Sequence, residues 1–197
     1  MRLIQDGREA EVEGKYSNAE ALLLPFLASS EAEARVVLRL SLDGKEVPAG
    51  ELGDLSEVAL GECERVEVET ASVREVAWKS LASAGEYADR VRDALLETAQ
   101  LMRADRPEVA SEFFVEAIDA MSVLLFTLQA AAEHLGPEAQ PVEEIGIRVQ
   151  PWLDSVADAQ QAQDWIRVAD YLEYEIAPVL GETRGKIATI DRPDVLG

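Results

Sequence analysis

The spacing of apolar residues changes character once along the chain, near residue 71. Before it, apolar-rich runs are short and two of them end in Asp-Gly: Leu3 and Ile4 lead into Asp6-Gly7, and the run 36–42 leads into Asp43-Gly44. Asp-Gly suits the two left-handed positions of a tight turn, so each pair predicts a two-residue hairpin. The stretch Arg2-Leu3-Ile4-Gln5-Asp6-Gly7-Arg8-Glu9 is echoed by Arg39-Leu40-Ser41-Leu42-Asp43-Gly44-Lys45-Glu46, one turn chemistry used twice. Between the hairpins, Ser17 with Glu20 three residues later makes a capping box ahead of residues 21–27, and Pro25 limits the short helix this predicts. Val66 and Val68 alternate with Arg65, Glu67 and Glu69, the pattern of a half-buried strand over 65–70.

The resulting order is strand, strand, helix, strand, short strand, strand. It resembles that of ubiquitin-like β-grasp domains, which implies a small β-rich α+β domain over residues 1–71.

From residue 72 the period becomes helical. Ser72 and Glu75 form a second capping box, and Ala77, Leu81, Ala84, Ala88, Val91, Leu95, Thr98 and Met102 recur at spacings of four and three. This predicts a helix of about thirty residues with a coiled-coil-like seam, whose three alanines allow close approach of a partner helix. A third box, Asp105 with Glu108, starts the next helix, with Pro107 in its first turn. That helix carries two stripes, one of Phe113, Ala117, Ala120, Leu124, Leu128 and Leu135, the other of Phe114, Ile118, Met121 and Leu125. So wide an apolar arc predicts contact with several neighbours and a central place in a bundle, and Gly136-Pro137 ends the helix. Two further helices follow, about 142–159 and from about 164, antiparallel across the short Gln160–Gln163 link, with Pro151 and Pro178 expected to kink or end them. The expected architecture is α+β: the β-rich domain, then over 72–197 an all-α bundle of about four helices.

Charge narrows the partners. The 39 acidic and 18 basic residues give a net charge of −21, spread over both parts, with 7 basic and 16 acidic residues before residue 71. Such a surface repels nucleic-acid backbones and anionic membranes, so neither is an expected partner. The longest uncharged apolar run, residues 120–132, is shorter than the roughly eighteen residues of a membrane span. One cysteine, Cys63, forms no intramolecular disulfide and the N-terminus lacks a basic-then-apolar leader, so a reducing cytoplasm is expected.

The single histidine, His134, leaves too few ligands for common zinc sites or helical di-iron sites and is read as a helix-end residue facing the dipole. Cys63 has no histidine-rich setting and is read as a small buried or turn residue. No glycine-rich phosphate loop of the P-loop or dinucleotide type occurs. One enzymatic pattern stands: Glu112, Glu116 and Asp119 share a helix face at spacings of four and three, and Asp170 with Glu173 forms a similar pair, so carboxylates from two helices would hold a hydrated Mg²⁺. Glu116-x-x-Asp119 with Asp170-x-x-Glu173 resembles the all-helical nucleotide pyrophosphohydrolases of the MazG kind. The resemblance lacks a preceding Glu-x-x-Glu pair, because Glu112 and Glu116 are four apart. Against it stands a solvated acidic helix face.

The segment Trp165-Ile166-Arg167-Val168-Ala169-Asp170-Tyr171-Leu172-Glu173-Tyr174-Glu175-Ile176-Ala177-Pro178 is similar to one near the C-terminus of uncharacterised bacterial helical proteins. That resemblance implies no activity and inclines the reading towards bacterial assembly or chaperone-like roles. Trp165, Ala169, Leu172 and Ile176 share a core face. Tyr171, Tyr174 and Glu175 project elsewhere and, with Trp78 on the flank of the first long helix, are candidate partner-binding residues, since aromatic side chains supply contact area with few rotamers to freeze. The alternative reading of both tyrosines is packing at the bundle edge with wet hydroxyls. The expected function is a non-enzymatic protein-binding, assembly or chaperone-like module without a cofactor, possible as a homodimer through the alanine-lined seam. The alternative is the Mg²⁺-dependent hydrolase.

Overall fold

Both Asp-Gly pairs turn the chain as their chemistry requires, with φ of 49° at Asp6, 79° at Gly7, 48° at Asp43 and 80° at Gly44. In a computed structural model describing residues 1–12, 14–27, 34–104 and 107–192, these turns join β1 (Arg2–Gln5) to β2 (Arg8–Ala10) and β3 (Arg35–Leu42) to β4 (Lys45–Glu46). Helix α1 (Ala19–Leu27) lies between the hairpins in the chain, and a 3-10 turn (Ala49–Glu51) precedes β5 (Arg65–Ser72). The five strands form one mixed sheet in the order β2-β1-β5-β3-β4, with β5 parallel to β1 and antiparallel to β3. This sheet, with its helix after the first hairpin, has the β-grasp arrangement that the element order implies.

Both turn aspartates also hold the central strand. Asp6 Oδ1 accepts the Thr70 N–H at 2.7 Å, and Asp43 Oδ1 accepts the Arg65 N–H at 2.8 Å. The echoed turns therefore clamp opposite ends of β5. Leu3, Leu22, Leu23, Leu40, Val66 and Val68 fill the core of this unit.

One local expectation is corrected. Asn18, not Ser17, caps α1: its Oδ1 accepts the Ala21 N–H at 3.0 Å while its Nδ2 donates to the Ser56 carbonyl at 3.1 Å. The Ser17 carbonyl instead accepts the Leu60 N–H. Pro25 sits inside the helix, near its last described turn.

The chain divides into two compact units, Met1–Val76 and Ala77–Gly197. Ser72 Oγ accepts the Glu75 N–H at 3.1 Å and starts α2 (Val73–Arg103). All eight seam residues, Ala77 to Met102 at three- and four-residue spacing, are buried. All but Thr98 belong to one hydrophobic core with residues of the later helices. The seam that the sequence offers to a partner helix thus packs against the chain's own later helices.

Helix α3 (Pro107–Leu135) ends where Gly136 takes φ 72°, and a 3-10 turn (Gly136–Ala139) leads into α4 (Gln140–Gln161). The capping residue assigned to α3, Asp105, lies outside the described residues. Pro151 does not end α4. Asp164 then caps α5 (Trp165–Asp170), accepting the Arg167 N–H at 3.1 Å. A π-helical segment (Tyr171–Ile176), α6 (Ala177–Gly181) and α7 (Thr183–Ile187) complete the run. The π segment ends two residues before Pro178, which has no N–H to give and whose ring crowds the carbonyl four residues back, so the wider register accommodates it without a break. What reads as one last helix is a continuous but irregular run.

Helices α3, α5, α6 and α7 and the π segment all contact α4. The ion pairs Arg148–Glu182 and Lys186–Glu144 tie the end of the run to α4.

Candidate functional site

The carboxylates proposed for Mg²⁺ do not meet. Glu112, Glu116 and Asp119 are exposed on α3 and form no ion pair with a described residue. Asp170 and Glu173 are instead held by Arg103 at the end of α2: Arg103 Nη2 donates to Asp170 Oδ1 at 2.7 Å, and Nη1 donates to Glu173 Oε2. These two hydrogen bonds raise the Arg103 pKa above its ordinary value. A guanidinium already bonds both members of this pair, and no group of three or more His, Cys, Asp or Glu able to hold a metal occurs among the described residues. The structure thus supplies no convergent carboxylate site of the kind the spacing suggested.

The candidate aromatic residues separate into packed and exposed. Tyr171 is half-buried against the Trp152 ring, centroids 5.7 Å apart, so it closes the bundle edge. Trp78 is partly buried on the helical core with the Arg192 guanidinium 5.3 Å above its ring. Tyr174 is exposed, with the Arg103 guanidinium 5.6 Å from its ring centre. Glu175 is half-buried. Of the four, Tyr174 against Arg103 is the exposed one, while Trp78, Tyr171 and Glu175 are partly buried.

The two lone residues occupy modest positions. His134 is exposed in the last turn of α3. Cys63 Sγ donates to the Arg65 carbonyl at 3.1 Å, and burial raises its thiol pKa, the opposite of an activated nucleophile.

The surface left over is the outer face of α3. Phe126 is 73% exposed, Val123 56% and Val115 54%. Val115, Asp119, Ser122, Val123 and Phe126 follow spacings of three and four and so share one face of the helix. The opposite face, with Phe114, Ala117, Met121, Leu124 and Leu128, is buried. Within Ala110–Gln161 an eighteen-residue window reaches a mean hydropathy of 1.6, apolar enough by length and composition to cross a membrane, yet only 28% of it is buried. The two stripes that periodicity marks, Phe113 to Leu135 and Phe114 to Leu125, are buried or half-buried; Val115, Val123 and Phe126 lie outside both stripes and are exposed. Exposed large apolar residues on one face are the usual mark of a contact surface.

A family model described as a domain of unknown function, DUF8042, matches residues 79–186, more than half of the 197 residues, and takes in both the α3 face and the Trp165 to Pro178 segment. No curated protein and no solved structure matches the chain. The helical half thus carries a domain shared with other proteins, and the chain belongs to the DUF8042 family.

Proposed function

We propose that the chain is a non-enzymatic protein-binding or assembly module of a bacterial cytoplasm, and that the outer face of α3 is its interaction surface. The carrying observation is the exposure of Phe126, Val123 and Val115 together on a helix whose other side is core. Apolar side chains of this size lose roughly 1.5–3 kcal/mol each when left in water rather than buried, so a helix keeping three on one face has a driving force for association. The net charge of −21 supports a protein partner over nucleic acid or an anionic membrane.

The test compares tagged wild-type protein with a Val123→Ser/Phe126→Ser variant, purified from the source organism. A partner that is stoichiometric with the wild type, lost with the variant, and rebinding when both proteins are mixed pure supports the reading. Retention of every partner by the variant moves the interaction off α3.

A further inference from the structure

We propose that the α3 face receives a basic amphipathic helical segment of a partner protein, a deduction resting on the binding-module reading above. The exposed Val115, Val123 and Phe126 share their face of α3 with Glu112, Glu116 and Asp119, all exposed and none in an ion pair with a described residue. Helix α3 contains no Lys or Arg along its whole length. An occupant that covers the apolar stripe brings its own flanks against these carboxylates. Uncharged residues there would strip water from them without compensation, and acidic ones would add repulsion; Lys or Arg beside an apolar stripe satisfies them. Apolar anchors at three-, four- and seven-residue spacing with basic borders describe an amphipathic helix lying along another helix.

The same chemistry argues against the other occupants. Two copies joined through α3 would place six of these carboxylates in one interface, on chains of net charge −21. An anionic bilayer would meet the same acids at its surface.

The experiment uses the full chain and fluorescently labelled eighteen-residue peptides, read by anisotropy: a helical Leu/Lys peptide with one apolar stripe, a Leu/Lys peptide of equal composition with the stripe scrambled, and a striped Leu/Glu peptide. The striped basic peptide binds at least tenfold more tightly than either of the others. Val123→Ser/Phe126→Ser weakens it at least tenfold, and Glu116→Gln/Asp119→Asn weakens it several-fold while flattening its salt dependence. Equal binding of the scrambled basic peptide, or indifference to both variants, overturns the proposal as mere attraction to an acidic protein. Phe126-dependent dimerisation in sedimentation equilibrium, or equal Phe126-dependent binding of the Leu/Glu peptide, overturns the basic partner but leaves the binding-module reading in place. Phe126-dependent binding to anionic vesicles, or no Phe126-dependent association with any probe, overturns both.

Discussion

Arg103 near the end of α2 donates a 2.7 Å hydrogen bond to Asp170, sixty-seven residues later, and a second to Glu173. Its side chain is 30% exposed, so the pair is partly shielded and worth more than a fully wet one. Arg103→Met leaves two carboxylates facing each other without their cation; a loss of about 1 kcal/mol and a fall in melting temperature of about 2–4 °C are expected. Because the arginine already occupies these oxygens, millimolar Mg²⁺ should shift the wild-type melting temperature no more than NaCl of equal ionic strength. A specific Mg²⁺ stabilisation abolished by Glu116→Gln would revive the hydrolase alternative.

Asn18 bonds both the first turn of α1 and the Ser56 carbonyl, whereas the Ser17 side chain makes neither contact. Asn18→Ala is expected to cost about 1 kcal/mol or more in urea unfolding, and Ser17→Ala less than about 0.5 kcal/mol. Equal costs would restore the capping box at Ser17.

Thr183 is fully buried and its Oγ1 has no hydrogen-bond partner among the described residues. A buried hydroxyl without a partner loses its water for nothing, and valine has nearly the same shape. Thr183→Val should therefore raise stability by about 1 kcal/mol. A loss on substitution would mean the hydroxyl is satisfied.

Glu182 is held below the ordinary carboxylate range chiefly by the hydrogen bond from Arg148, which outweighs the opposing effect of burial. A depressed folded-state pKa adds stability that is present above the unfolded value of about 4.3 and lost as pH falls through the folded value. Both side chains are 44% exposed, so screening keeps the contribution below about 1 kcal/mol. The stability difference between wild type and Glu182→Gln should be present at neutral pH, vanish in acid, and shrink in high salt. A difference that persists unchanged in acid would assign it to packing.

Much of the local structure was legible because the signals and their partners are close in sequence. Asp-Gly encodes its own turn, Ser72 caps a helix three residues away, and the alanine-lined seam shows its period directly. Long-range choices were not legible. Asn18 is favoured over Ser17 by Ser56, thirty-eight residues on. Asp170 and Glu173 look like half a metal site until Arg103 is placed on them. Pro178 announced an irregularity, but not that the chain would pass through it in a wider helical register. The two apolar stripes of α3 were legible and pack inward, whereas Val115, Val123 and Phe126 fall outside their period and were not picked out. Periodicity reports what is apolar, not what lies against it.

The central claim, that the outer face of α3 is where a partner sits, is tested most directly by hydroxyl-radical footprinting of the reconstituted complex against the free chain. Phe126, 73% exposed, and Tyr174, 62% exposed, are both readily modified in the free protein and lie on different elements. The account expects modification of Phe126 to fall several-fold in the complex while Tyr174 stays unchanged; protection of Tyr174 with Phe126 unaltered would contradict it and move the interaction to the π-helical segment.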